Sequence, residues 1–304
     1  MTNNLTPSGE LILEKLGINP NNLRADFPTR EQRLQYRAVA QWITDYKPKS
    51  DATNLEKIRG YLETFYHFCK VQDWLRGSEI IFTRLNTPIN DELHWQLSIW
   101  GYYREQIELY NQLVGKLSPK LEGLFRGNLG TAYSALGNYT QAIDYYQQSL
   151  TIAREIGDRQ GEGSCLGSLG TAYYALDYYA LGNYTQAIDY YQQSLTIARE
   201  IGDRQGEGNW LGNLGAAYHS LGDYPQAIDY YQQSLAIARE ISDHYGEALS
   251  LYKLARVHFK LDDRTQTLKY CNQALSLATE LGIPLVKECQ ELKEKLLRDI
   301  PQNE

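Results

Sequence analysis

The segment GNYTQAIDYYQQSLTIAREIGDRQGEG at 137–163 recurs without a single change at 182–208. A third version, GDYPQAIDYYQQSLAIAREISDHYGEA, occupies 222–248. Each follows a matching segment: GNLGTAYSAL at 127–136, GSLGTAYYAL at 167–176 and GNLGAAYHSL at 212–221. The period is 40 residues, stretched to 45 in the second copy. Self-similarity of this kind constrains the fold more than any other feature. A unit of that size cannot bury its apolar face alone, so the chain grows along one axis by stacking neighbours. The length of 304 residues, which would otherwise read as two domains, is then only a soft bound.

Each period divides between two helical patterns. Ala142, Tyr145, Tyr146, Ser149, Leu150 and Ala153 recur at i, i+3, i+4, i+7, i+8 and i+11 on one face, while Asp144, Gln147, Gln148, Thr151 and Arg154 take the other. Leu129, Ala132, Tyr133 and Leu136 make the stripe of the preceding helix. Gly137, Gly182 and Gly222 are placed to end that helix, because glycine takes the left-handed C′ conformation without steric cost. The GDRQGE joints put Asp158 and Asp203 where a carboxylate caps the next helix, with Glu162 and Glu207 near its positive end. The chain is therefore expected to be all-α, built from antiparallel helix hairpins.

In the third copy Leu211, Leu214, Gly215, Tyr218, Gly222, Tyr224, Ala227 and Tyr231 alternate small and large residues at fixed spacing. This pattern resembles the tetratricopeptide repeat (TPR), in a 40-residue subtype similar to that of kinesin light chains, the LGN/Pins spindle adaptors and cyanobacterial tandem-TPR proteins. The resemblance implies a right-handed α-solenoid, the TPR superhelix, whose first helices line a concave surface used for peptide or protein binding. On this reading residues 119–285 form the array, with repeats at about 121–160, 161–205, 206–245 and 246–285. The last is degenerate, with Ala255, His258, Asp262, Thr267 and Cys271 where the strong copies have Gly, Tyr, Gly, Ala and Tyr. Residues 286–304 are expected to form a charged capping helix and tail.

Upstream, residues 30–118 read as an irregular, TPR-like helical region. Trp74 and Tyr103 stand there in the place of Tyr224, and further helices are expected at 30–47 and 54–69. Residues 1–29, with one short apolar stretch, LILEKLGI, are expected to be flexible and linker-like. In the second copy YALDYYAL contains YAL twice. Five extra residues advance a helix about 140 degrees beyond a full turn, so they extend the helix or bulge out of it. A neutral insertion is the plainer reading and a tyrosine-rich protrusion the alternative.

Candidate binding residues come from the implied groove. Leu124, Ser164 and Asn209 differ at one first-helix position, and Ser134, Tyr174 and His219 at another; Thr131 and Thr171 belong to the same face. Asn128, Ser168 and Asn213 share a position at which a carboxamide, donor and acceptor at once, can hold an extended main chain. Lys253, Arg256 and Lys260 are spaced along one helical stripe, suited to an acidic side chain or a free C-terminal carboxylate. Asn213 with Lys253 matches only part of the clamp of chaperone-binding relatives, and Thr171 and Leu249 depart from it.

Thirty Lys and Arg against 37 Asp and Glu leave a net charge of −7, which disfavours nucleic acid and anionic membrane as partners. Mean hydropathy is −0.51 and no apolar run approaches a bilayer span. The N-terminus lacks the pattern of a signal peptide. Cys69, Cys165, Cys271 and Cys289 show no C-x-x-C spacing, which fits a reducing cytoplasm. No nucleophile elbow, Walker loop, H-E-x-x-H or dinucleotide fingerprint is present, and no metal or cofactor is expected. The sequence thus reads as a cytoplasmic, non-enzymatic protein- or peptide-binding scaffold or adaptor in bacterial signalling or complex assembly. The alternatives are a sensor for a short signalling peptide and a self-associating scaffold. A helix-turn-helix that would couple the sensor to DNA is not evident in residues 1–60, and Trp42, Trp95 and Trp100, which self-association would need exposed, are expected in the core.

Overall fold

A computed structural model describes residues 5–180 and 184–298. It divides into two compact units, residues 1–137 and 138–304. The described residues form helices and loops, with one isolated antiparallel bridge between Arg84 and Glu92.

In the first unit the helices are α1 (Gly9–Lys15), α2 (Leu23–Asp26), α3 (Arg30–Thr44), α4 (Asn54–Lys57), α5 (Arg59–Lys70), α6 (Trp74–Ile81), α7 (Leu93–Ile99), α8 (Tyr103–Leu113) and α9 (Pro119–Ala135). Residues 5–28 depart from the linker-like expectation. Ile12, Leu13, Leu16, Ile18 and Leu23 are buried, and α1 packs on α3. Gly9 lets the backbones touch, since a Cβ there would collide with the carbonyl of Ile43. The Tyr61 hydroxyl donates to the Pro7 carbonyl at 3.2 Å, tying the segment down further. A helix of seven residues, about two turns, is too short to show a period in sequence, yet the segment around it buries five apolar side chains once α3 offers a surface. The tryptophans also differ from expectation: Trp95 is 41% exposed, and Trp42 and Trp100 are half-buried.

The second unit holds α10 (Tyr139–Glu155), α11 (Arg159–Ala180), α12 (Thr185–Ile201), α13 (Arg204–Leu221), α14 (Tyr224–Glu240), α15 (His244–Lys260), α16 (Arg264–Leu281) and α17 (Leu285–Arg298). Helices α11 and α12, α13 and α14, and α15 and α16 pair as hairpins, and α17 covers α16. The duplicated YAL extends α11 to 22 residues, against 18 for α13. Gly182, expected to end that helix, lies outside the described residues.

Three joints repeat one design. Asp158, Asp203 and Asp243 accept from the backbone N–H of Gly161, Gly206 and Gly246 at 2.9, 2.8 and 2.9 Å, satisfying a donor that the new helix leaves unpaired. Gly222 ends α13 at φ +82°. Across the joints runs a zigzag of ion pairs. Arg154, in the last turn of α10, meets Glu162, in the first turn of α11, at 2.8 Å, and Arg159 binds the same carboxylate at 2.5 Å while also reaching Glu200 on α12. Arg199 then meets Glu207 at 2.8 Å, Arg204 bridges Glu207 and Glu240, and Arg239 meets Glu247 at 2.7 Å. Glu162, Glu207 and Glu247 sit at positive helix ends and Arg154, Arg199 and Arg239 at negative ones, so in these three pairs dipoles and ion pairs act together.

Inside the hairpins glycine and tyrosine are matched. A Cβ on Gly170 would lie 2.6 Å from the Tyr191 ring, and one on Gly215 equally close to Tyr231. Ala255 and Cys271 replace this pair in the fourth repeat, and both are fully buried. The smaller sulfhydryl makes room for the added methyl, which accounts for that repeat's departure at these two positions.

Candidate functional site

Asn209 and Asn213 lie one turn apart on α13, and Leu249 and Lys253 one turn apart on α15. With Trp210 and Asp243 they line a cleft of about 260 Å³ within the second unit. The turn-by-turn spacing follows from the helical period; the depth follows from small residues behind it. A Cβ on Gly212 would lie 3.3 Å from the Ser234 hydroxyl and 3.7 Å from the Lys253 ammonium, and Gly167 leaves the space that the Trp210 ring fills. The polar groups of the floor are already partnered. Ser234 donates to the Gly208 carbonyl at 2.9 Å and lies 3.2 Å from the Ser250 hydroxyl. Asp243 is also engaged, capping α15 and accepting from the Gln205 amide at 3.1 Å.

Lys253 is different. It is half-buried, its ammonium stands 5.6 Å from the centre of the Tyr231 ring, and among the described residues no carboxylate pairs with it. Burial, reinforced by the charge of Arg256, pushes its pKa down to about 8. Arg256 and Lys260 continue the stripe and are exposed. His219, half-buried on α13, has an Nε2 without a hydrogen-bond partner, and burial together with Arg256 and Lys260 holds its pKa below the usual imidazole value. Lys253, Arg256 and Lys260 together make this stripe of α15 cationic, which suits an anionic ligand.

The other expected groove residues are placed otherwise. Tyr174 spends its hydroxyl on Ser220, at 2.9 Å, and Thr171 donates to the Gly167 carbonyl and accepts from the Tyr191 hydroxyl. Ser168 is half-buried. Asn128, Thr131 and Ser134 stand on α9 in the first unit. Asn128 is only 7% exposed, with an Nδ2 that has no hydrogen-bond partner, Thr131 is exposed and Ser134 half-buried. Trp210 joins the cleft from outside the sequence candidates, and Phe125, Cys165 and Ser250 at its equivalents mark a position that changes in every copy.

Among the described residues no helix is long and apolar enough to cross a membrane, and no group of three or more His, Cys, Asp or Glu is arranged to hold a metal ion.

Comparison with known proteins agrees with this architecture. The tetratricopeptide repeat family model matches residues 123–178 and 171–240, and that of anaphase-promoting complex subunit 5 matches 216–282. Human tetratricopeptide repeat protein 28 is 41% identical over 57 residues, which is 19% of this chain and 2% of that protein. The chain thus matches a small fraction of this relative's length. Among solved structures, a signal transduction ATPase with numerous domains and a tetratricopeptide repeat sensor, from Pyrococcus horikoshii, is similar at TM-score 0.59 and 20% identity, over 88% of this chain and 43% of that one. A Rap protein complexed with competence and sporulation factor is similar at TM-score 0.54 and 16% identity, over 96% of this chain and 89% of that one. Both share its fold. With their hairpins, their glycine–tyrosine packing and the family match, residues 123–240 of the chain are an array of tetratricopeptide repeats.

Proposed function

We propose that this TPR protein is a non-enzymatic adaptor that holds an extended, acidic segment of a protein partner in the α13–α15 cleft, within bacterial signalling or complex assembly in the cytoplasm. One observation carries the reading: Lys253 lines the cleft with no carboxylate partner among the described residues, together with the carboxamides of Asn209 and Asn213. A side-chain carboxylate or chain terminus supplies the missing anion by a charge-assisted hydrogen bond. The two carboxamides then serve the ligand's main chain, whatever its sequence, and Arg256 and Lys260 extend the attraction beyond the cleft.

A second reading, a sensor for a short signalling peptide, draws on the two structural neighbours, one with a TPR sensor and one complexed with a factor. It uses the same cleft and differs in the length of the occupant.

The test is fluorescence anisotropy with labelled nonapeptides of matched length, acidic or neutral, against the wild type and a Lys253→Glu, Arg256→Glu, Lys260→Glu variant. Saturable binding of acidic peptides that the variant loses is the expected result. Equal binding of neutral peptides, or no loss in the variant, removes the site from this cleft.

A further inference from the structure

The amine of Lys253 combines three properties that rarely meet in one lysine. It opens onto a cleft of about 260 Å³, large enough for a small organic molecule. It is packed against an aromatic face, and among the described residues no carboxylate holds it as an ammonium. Two exposed cations, Arg256 and Lys260, stand on its own helix and attract anions. Among the described residues the charged and titratable groups near it are these two cations, His219 on α13, Tyr231 on α14 and Asp243 in the cleft lining, which is committed to capping α15.

We infer that Lys253 is an acylation site whose modification by an acyl phosphate switches off the anion-binding cleft. The switch rests on the functional reading above; the modification chemistry does not. The lone pair of Nζ forms an amide bond to the acyl carbon, the bond from that carbon to the phosphate oxygen breaks, phosphate leaves with the electron pair, and the proton lost from nitrogen passes to solvent. Such a reaction needs a neutral amine. Burial beside Arg256 brings the pKa from 10.5 to about 8. At neutral pH roughly one amine in ten is then unprotonated, against fewer than one in a thousand for an unperturbed lysine. The donor is anionic, so Arg256 and Lys260 draw it to the cleft mouth, and the product amide leaves a neutral side chain where the ligand's carboxylate would dock.

The experiment uses the full chain and acetyl phosphate, with site occupancy over time read by peptide mass spectrometry. Lys260, exposed on the same helix, is the internal reference. The expected result is acetylation of Lys253 at least fivefold faster than Lys260 at pH 7, with the ratio falling toward one as the pH approaches 10. A Lys253 rate equal to or below that of Lys260 at pH 7 overturns the modification. Acidic-peptide binding is measured separately on unmodified protein and on protein acetylated at Lys253. A tenfold or greater loss of affinity on acetylation supports the switch, and unchanged affinity overturns it. Unmodified protein that binds no acidic peptide, yet is acetylated selectively, overturns the functional reading and the switch while leaving the modification standing.

Discussion

The Tyr231 ring occupies the space into which a side chain on Gly215 would project, 2.6 Å from where its Cβ would lie. The pair fixes the distance between α13 and α14, and nothing larger than hydrogen fits without displacing an aromatic ring from a core in which Tyr231 is 3% exposed. Gly215→Ala therefore overpacks the hairpin and is expected to cost about 1–3 kcal/mol in chemical denaturation. In a Tyr231→Cys background, which copies the Ala255 and Cys271 pairing of the fourth repeat, the same substitution is expected to cost markedly less. A double-mutant cycle with no coupling contradicts the match.

Glu162 titrates under two opposed influences. Burial raises its pKa, but hydrogen bonds and charge from Arg154 and Arg159 prevail and hold it below 4.5. With the folded value below the unfolded one, its contribution is complete above about pH 4.5 and is lost as pH falls through the folded value. Glu162→Gln should lower stability at pH 7 by about 1 kcal/mol, since both arginines are largely solvated, and should flatten the acid limb of the unfolding profile. Denaturation midpoints between pH 3 and pH 7 read both effects.

His219 behaves alike in sign at a higher pH. Burial and the neighbouring Arg256 and Lys260 keep its folded pKa below 6.5, so the unfolded chain takes up the proton first as pH falls. Stability is full above pH 6.5 and declines below it. The fall in Tm between pH 7.5 and pH 5.5 is expected to shrink in His219→Gln; an unchanged pH slope places the imidazole in solvent.

Binding in the cleft divides between charge and main-chain recognition. Lys253→Gln is expected to weaken an acidic peptide by about tenfold, the size of a charge-assisted hydrogen bond, and to reduce the salt dependence. Asn213→Ala is expected to weaken acidic and neutral peptides by the same factor. Both variants should keep the helical content of the wild type by circular dichroism, because among the described residues Asn213 makes no side-chain hydrogen bond and Lys253 meets only the face of the Tyr231 ring.

The hairpins were legible because the chain repeats itself, so one helical period could be read three times over, and Asp203 and Gly222 cap and end helices where expected. What the sequence hid depends on contact across elements. The segment 5–28 is ordered by a surface on α3 that no local pattern announces. Asn128 shares its repeat position with Asn213 yet is buried, because equivalence in a repeat does not carry over to the surroundings of an array's first helix. Lys253 reads as one cation in a stripe of three; that it sits against Tyr231, with no carboxylate partner among the described residues, follows only once α13, α14 and α15 are packed.

The zigzag of Arg and Glu gives each hairpin a donor on one side and an acceptor on the other, drawn from the same repeated letters. Arg199 offers to Glu207 what Arg154 offers to Glu162. A hairpin of this kind is complementary to a copy of itself, so a further unit gained by recombination between the identical stretches 137–163 and 182–208 would arrive with its ionic partners already in place. The number of units, and with it the reach of the binding surface, is thereby a property that a lineage can change in whole steps without designing a new interface.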